Sequence, residues 1–177
     1  MALINFIFQY RLWILGGQGV SGTTPLSSTE YIYPDGSVEP GPLLPTPLYK
    51  MCSVVTSDDK VLVIGGQTSS DDGTPSEKTW EFDPTRGKWQ PGPSLDTGRS
   101  SLGCANIYSP YHQRQIVFAF GGVARDPGCQ PWDKFWRSCD KVLASVEMLD
   151  YQNEESAASW EKGKRWVRAQ LDFWRTQ

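Results

Sequence analysis

The most regular feature of the hydrophobic pattern is a short apolar run that ends in two glycines and occurs three times. The three copies are Leu12–Leu15 before Gly16 and Gly17, Val61–Ile64 before Gly65 and Gly66, and Ile116–Phe120 before Gly121 and Gly122. Short runs rich in β-branched and aromatic residues are typical of strands buried on both faces. A terminal glycine pair indicates a sharp turn or a close approach of another backbone. We therefore predict three fully buried strands with the same ending.

These strands recur at a nearly regular interval. From Gly17 to Gly66 the chain advances 49 residues, and from Gly66 to Gly122 it advances 56 residues. An interval of about fifty residues is the signature of a repeat architecture. The chain is therefore expected to contain about three similar structural units.

The segments around each glycine pair also repeat. A polar loop is followed by a strand with a large apolar residue before an Asp or Pro turn, and then by a short strand that carries Trp in the later units. The matching segments are Thr29–Pro34; Trp80–Pro84 and Gly87–Trp89; and Val146–Asp150 and Ser159–Glu161. Preceding strands are predicted within Lys50–Val55 and Leu102–Ile107. Four short antiparallel strands in each unit predict the blade of a β-propeller.

This order of elements resembles the kelch repeat over residues 10–161, and the second unit matches it best. The first unit has Val38 near the place of the outer Trp, and the third lacks Pro after Asp150. The resemblance implies an all-β fold, a partial kelch propeller made of four-stranded antiparallel blades. It also implies that the six glycines of the repeated pairs have structural roles.

A propeller needs about four to eight blades to close its ring, so three blades leave two sheet faces without a neighbour. We expect the chain to be part of a larger propeller whose remaining blades come from the parent chain or from another chain. Residues 1–163 are predicted to form about three kelch-type blades. Residues 164–177 are predicted to be a tail or the start of a further blade.

Charge and hydrophobicity exclude some partners. The net charge of −3 argues against a nucleic-acid partner, because such domains usually carry a basic face. The apolar N-terminal stretch is interrupted by Asn5 and Gln9 and favours a strand over a secretory signal. No apolar run reaches the length of a membrane-spanning helix, so no membrane partner is expected.

The four cysteines are compatible with either redox compartment, and their positions define two candidate pairs. Cys129 and Cys139 lie ten residues apart in a polar loop, a spacing that a local disulfide can close. Cys52 and Cys104 occupy matching positions in two units, either as small buried side chains or as a bridge between neighbouring blades. If Cys129 and Cys139 are bridged we expect an extracellular protein, and otherwise a cytoplasmic one.

No motif indicates a cofactor or a metal. Residues 17–22 spell G-x-G-x-x-G, but the following residues lack the helical pattern that a dinucleotide site requires. The Asp71–Gly73 loop lacks the ligand spacing of a calcium site. With one histidine, His112, the chain offers no Ser/His/Asp or Cys/His set, so we predict no catalytic residues, no metal site and no cofactor.

The third unit departs from the other two by an insertion. From the second glycine to the apolar residue before the turn, the units take 15, 16 and 27 residues, ending at Ile32, Phe82 and Leu149. The insertion, residues 125–140, combines aromatic and basic side chains, which are enriched at protein interfaces. The candidate binding residues are Arg125, Trp132, Lys134, Phe135, Trp136 and Arg137. The alternative is a flap, pinned by a disulfide, whose aromatic side chains cover a blade.

Two functional classes follow from the resemblance. Kelch propellers mostly present their blade loops to protein partners, which implies a non-catalytic interaction scaffold with a protein partner of unknown identity. Galactose-oxidase-like copper enzymes share the blade pattern, so the alternative is a fragment of such an enzyme. In that case the copper site would lie in blades that these residues do not include.

Overall fold

The structure is a computed structural model that describes residues 7–8, 10–20, 24–68, 74–110, 114–126, 128, 139–151 and 166–170. Within these ranges the chain forms β-strands joined by turns and loops, with no α-helix. Twelve of the fourteen strands belong to three four-stranded sheets. The all-β fold class predicted from the sequence is confirmed.

The first two sheets follow the chain strand by strand. Blade 1 contains β1 (Ile7–Phe8), β2 (Arg11–Leu15), β3 (Thr29–Ile32) and β4 (Val38–Pro40). Blade 2 contains β5 (Cys52–Val55), β6 (Val61–Ile64), β7 (Thr79–Asp83) and β8 (Lys88–Pro91). Each strand pairs antiparallel with the next one in the sequence, which is the topology of a propeller blade.

The third sheet is interrupted by a separate two-stranded ribbon. It begins with β9 (Gly103–Ser109) and β10 (Arg114–Phe120), after which the chain forms the ribbon from β11 (Val123–Arg125) and β12 (Asp140–Val142). The chain then returns to the sheet through β13 (Ser145–Tyr151) and β14 (Trp166–Gln170). We call this sheet blade 3.

The outer strand of blade 3 lies later in the chain than the sequence pattern indicated. The pattern placed this strand at Ser159–Glu161, which lies outside the described residues, and treated residues 164–177 as a tail or the start of a further blade. In the structure β14 pairs antiparallel with β13, with Leu149 opposite Trp166. Residues 166–170 therefore complete blade 3.

Two of the three repeated glycine pairs are required by a close backbone contact. All six glycines have positive φ, from 53° at Gly16 to 114° at Gly17, a region that L-residues with a side chain rarely occupy. A Cβ atom at Gly16 would collide with the carbonyl oxygen of Leu48, and one at Gly65 with that of Arg99. The amide of the second glycine donates to the same oxygen, at 2.8 Å for Gly17 and 2.9 Å for Gly66. Each of these two pairs thus fastens a blade to the connector that leads to the next blade.

Only the middle apolar run is buried on both faces, as β6 shows. Val61 and Val63 pack with Trp13 of blade 1, whereas Leu62 and Ile64 pack with blade 3. The prediction of three fully buried strands is wrong for β2 and β10, whose burial alternates along the strand. The reason is that blades 1 and 3 have a neighbouring blade on one side only among the described residues.

The open face of blade 3 carries exposed apolar side chains. Val117 and Ala119 of β10 pack against blade 2, so the alternate residues of this strand face away from it. Phe120, on that outer face, is 44% exposed, and Ile107 of the neighbouring strand is 57% exposed. Such a face is expected to be covered when a propeller ring is complete.

A disulfide joins the innermost strands of blades 2 and 3. Cys52 of β5 and Cys104 of β9 are bonded, with their Cα atoms 5.9 Å apart. The side-chain amide of Asn106 also donates to the backbone carbonyl of Val55 between the same two strands. The bridge between neighbouring blades, one of the two interpretations of these cysteines, is therefore present.

Removing this bridge should destabilise the protein. The bond closes a loop with a sequence separation of 52 residues, so C52S/C104S is expected to lower the free energy of unfolding by about 4 kcal/mol, because the unfolded chain regains freedom. Urea unfolding of the oxidised protein measures the effect, with S53A on the same strand as a control. Peptide mapping should recover Cys52 linked to Cys104. Unlinked peptides, or a double variant as stable as S53A, would contradict the bridge.

Candidate functional site

The loops of the blades lie at two opposite ends of the sheets. The loops after the glycine pairs and the connectors between blades lie at one end, which we call the Gly-Gly end. The tight hairpins between β5 and β6 and between β7 and β8 lie at the other end, which we call the hairpin end. The inserted segment of the third unit belongs to the Gly-Gly end, because it follows Gly122.

The inserted segment is mounted on the β11–β12 ribbon. Val123 pairs with Val142, and Arg125 with Asp140 at the far end of the ribbon. The amide of Asp126 then donates to the carbonyl of Cys139 at 2.8 Å, which extends the pairing by one further contact. The segment between these residues is therefore held at its base by a short antiparallel stem.

This stem is fixed to blade 2. Val123 and Ser100 exchange two backbone hydrogen bonds of 2.8 and 3.0 Å, so the ribbon pairs with the connector between blades 2 and 3. The Nη2 atom of Arg125 donates to the Thr74 hydroxyl at 3.3 Å, which reaches the loop of blade 2. The described ends of these two loops therefore contact each other at the Gly-Gly end.

The predicted binding residues are only partly visible. Arg125 lies at the end of β11, is half-buried and contacts the loop of blade 2. Trp132, Lys134, Phe135, Trp136 and Arg137 lie outside the described residues, so their role as a binding group stays a prediction.

The second predicted disulfide is visible at one of its two cysteines. Cys139 is disulfide-bonded and 3% exposed. Cys129 lies outside the described residues, as does His112, so the pairing of Cys129 with Cys139 stays a prediction.

A buried ion pair that the sequence patterns did not predict joins blades 2 and 3 at the Gly-Gly end. The Nη2 atom of Arg99 contacts Glu147 Oε1 at 2.5 Å, and both side chains are fully buried. Glu147 also accepts hydrogen bonds from the backbone amides of Asp96 and Thr97, at 2.7 and 3.1 Å. Arg99 donates to the carbonyl oxygens of Gly121 and Ser145 at 3.1 Å. Such hydrogen bonding offsets the desolvation of the two charges.

A second charged cluster joins the same blades at the hairpin end. Lys60 lies 3.0 Å from Asp58 and 3.5 Å from Glu81. The Tyr151 hydroxyl of blade 3 donates to Glu81 Oε2 at 2.6 Å. Burial, the hydrogen bond to Glu81 and the charge of Glu81 raise the pKa of Tyr151, so this phenol stays protonated and acts as a donor.

These two clusters have a structural role, because they hold blades 2 and 3 together. Glu81, Arg99, Glu147 and Tyr151 are each at most 1% exposed, so no substrate can reach them in this conformation. Two of them were detectable from the sequence, because Glu81 and Glu147 interrupt the apolar strands β7 and β13. A carboxylate at a buried strand position requires a partner. Their partners come from distant segments and cannot be identified from spacing.

A cavity of about 350 Å³ lies between blades 1 and 2 at the hairpin end. Its walls combine aromatic and charged side chains from both blades, namely Arg11, Trp13, Tyr31, Asp59, Val61, Phe82, Pro84 and Thr85. Part of the wall is held by a tight turn. Asp83 Oδ1 accepts the amide and hydroxyl of Thr85 at 2.8 and 2.6 Å, and the Thr85 hydroxyl is the main cause that lowers the pKa of Asp83.

Comparisons with known proteins agree with this architecture. Residues 49–95 match the family model of the Kelch motif. Kelch-like protein 35 of Homo sapiens is 38% identical over 65 residues, which are 37% of this chain and 11% of that protein. The structure of YjhT aligns with a TM-score of 0.67 at 14% identity, covering 95% of this chain and 51% of the YjhT chain.

These similarities confirm the resemblance to the kelch-repeat family, and the fold is a partial β-propeller. The chain spans about half of the YjhT chain, and its match covers about a ninth of the human relative. The similarity to YjhT shows the fold alone, because only 14% of the residues are identical.

The described ranges contain no helix of the length and apolarity that a membrane crossing requires. In the same ranges no three His, Cys, Asp or Glu side chains are grouped so that they could hold a metal ion.

The buried ion pair generates a prediction for a double-mutant cycle. R99M should destabilise the protein by about 3–5 kcal/mol, because it leaves the Glu147 charge buried without its cation. E147M should lower the free energy of unfolding by a similar amount. The loss for R99M/E147M should be smaller than the sum of the losses for the two single variants. The pair of the exposed Arg86 with Asp83 supplies the control, since R86M removes a solvated cation and should change stability by at most about 1 kcal/mol. Additive losses in the cycle would contradict a direct pair.

The Asp58 cluster generates a prediction for acid stability. Burial alone would raise the pKa of Asp58, but hydrogen bonds from Thr56 and Lys60 and the Lys60 charge outweigh it and lower that pKa. Stability from this carboxylate is present above its unfolded pKa of about 3.9 and lost as pH falls below that value. In urea unfolding across a pH series, the advantage of wild type over D58N should shrink on acidification. A constant difference between the two proteins would show that Asp58 does not contribute in this way.

Proposed function

We propose that this chain is a non-catalytic part of a kelch propeller and that it binds a protein partner through its Gly-Gly end. The observation that carries the proposal is the ribbon of the third unit. Its stem is fixed to the connector of blade 2 by reciprocal backbone bonds between Val123 and Ser100. Loops supported by a rigid scaffold carry binding more often than the strands that support them.

The composition of the inserted segment supports a protein as the partner. Between the two stem strands the segment contains Trp132, Phe135 and Trp136 together with basic residues. Tryptophan and arginine are enriched among the few residues that dominate binding energy at protein interfaces. The buried charged clusters between the blades support a scaffold role, because their side chains are engaged in holding blades 2 and 3 together.

Removing the aromatic side chains of the inserted segment tests this proposal. W132A/F135A/W136A should weaken binding of a partner by about thirtyfold or more, since hot-spot residues each contribute about 2 kcal/mol. Partners are first collected by affinity capture with the full chain, and each is then purified and titrated against wild type and variant. The matched control is Y10A/Y108A, which removes two exposed aromatic side chains from the hairpin end.

The control should bind as tightly as wild type. A partner that loses affinity equally with both variants, or with Y10A/Y108A alone, would place the binding surface elsewhere. Copper-dependent oxidase activity of the complete propeller would instead support the enzyme alternative. The proposed cellular location depends on the state of Cys129 and Cys139. A bridge between them in the native protein implies an extracellular location, and free thiols imply a cytoplasmic one.

A further inference from the structure

The cavity between blades 1 and 2 contains an arginine that lacks a directly paired carboxylate. The Arg11 guanidinium lies over the Tyr31 ring, 3.8 Å from its centre, and Nη1 donates to the Tyr33 hydroxyl at 3.1 Å. The Tyr33 hydroxyl in turn donates to Glu39 Oε2 at 2.7 Å. Glu39 is therefore linked to Arg11 through the Tyr33 hydroxyl and not by a direct ion pair.

Arg11 has a further hydrogen-bond donor that is not paired. Its Nε atom is buried and has no hydrogen-bond partner, and no carboxylate of the described residues forms an ion pair with this side chain. A guanidinium presents its donors in a planar fork that matches a carboxylate, and such charge-assisted pairs are among the strong hydrogen bonds of proteins. Stacking on Tyr31 restricts the orientation in which Arg11 presents that fork.

The other walls of the cavity are suited to an apolar group. Trp13 and Phe82 pack edge to face, with their ring centres 5.0 Å apart, and Val61 lies in the same lining. All three side chains are at most 6% exposed and form the packed floor of the cavity, whereas the half-buried Tyr31 and Pro84 present accessible apolar surface to it. The volume of about 350 Å³ lies at the lower end of the range for small-ligand sites.

Asp59 restricts the charge of an occupant. This residue lines the cavity from the turn between β5 and β6, and its backbone is held at φ 60°. A second negative charge on the ligand would be repelled by its carboxylate. The lining therefore favours one carboxylate over two.

We propose that this cavity binds a monocarboxylate with an aromatic or branched apolar body, with Arg11 receiving the carboxylate and with Tyr31 and Pro84, packed on Trp13 and Phe82, contacting the body. The site lies at the hairpin end, opposite the ribbon, and is independent of the proposed partner surface. The same chemistry occurs in a free aryl carboxylic acid and in the C-terminal residue of a peptide.

The test is an NMR titration of the full chain, labelled with ¹⁵N, against 3-phenylpropanoate. Binding in the millimolar range or tighter is expected, with shifts at Thr85 and at residues beside Arg11. The neutral 3-phenylpropanamide should bind at least about tenfold more weakly, because it lacks the charge that Arg11 pairs. A pentapeptide ending in phenylalanine distinguishes the sources. Tighter binding of the peptide than of the acid assigns the site to chain termini, and binding of the acid alone assigns it to small acids.

R11Q should lower the affinity for 3-phenylpropanoate at least about tenfold. The matched control is R86Q, which removes an exposed arginine of the neighbouring turn and should bind like wild type. D59N gives a second readout that does not depend on R11Q folding, since it should strengthen binding by removing the negative charge. The proposal is overturned if neither carboxylate probe binds, if acid and amide bind equally, or if R11Q retains wild-type affinity.

Discussion

The arrangement of the blades depends on one backbone contact, in which the second glycine of a pair donates its amide to the connector that follows the blade. Gly17 makes this bond to Leu48, and Gly66 makes it to Arg99. The contact is close enough that a Cβ at Gly16 or Gly65 would collide with the same carbonyl oxygen. In these two pairs glycine is required because the space that a side chain would fill is already occupied by the connector. Because the bond positions the connector, it also positions Arg99 for its ion pair with Glu147 and Ser100 for its pairing with the ribbon.

The two interfaces of blade 2 are built from different interactions. Toward blade 1 the contact is aromatic, with Trp13 packed between Tyr31, Phe82 and Trp89 at ring-centre distances of 5.0 to 5.8 Å. Toward blade 3 an apolar centre is flanked by a charged cluster at each end and by a disulfide on the innermost strands. Aromatic packing tolerates small shifts, whereas buried ion pairs require fixed geometry. The interface that depends on fixed geometry is therefore the one between blades 2 and 3, which also supports the ribbon.

The sequence predicted the blades well because their determinants are local. Glycine pairs, apolar runs and the Asp83 turn each lie within a few residues, so spacing locates β6, β7 and β8 directly. It failed for the outer strand of blade 3, because the Trp of the template indicated Ser159–Glu161 instead of β14. It also missed the Arg99–Glu147 pair and the Arg11 cavity. These depend on residues 48 and 22 positions apart, as in the contacts of Arg99 with Glu147 and of Arg11 with Tyr33, and the sequence does not show which distant residues meet.

Because of its stem, the inserted segment can vary in length without changing the geometry of the propeller. Arg125 and Asp140 are paired, and the stem is bonded to Ser100, so the two ends of the segment are fixed whatever lies between them. Extending a loop whose ends are already closed costs only about 0.6 kcal/mol for each doubling of its length. New residues can accumulate there without strain on the blades. The sequence of the segment can therefore change, and with it the partner that is recognised, while the fold of the blades is unchanged. The ribbon is for the same reason a suitable position for grafting a foreign peptide.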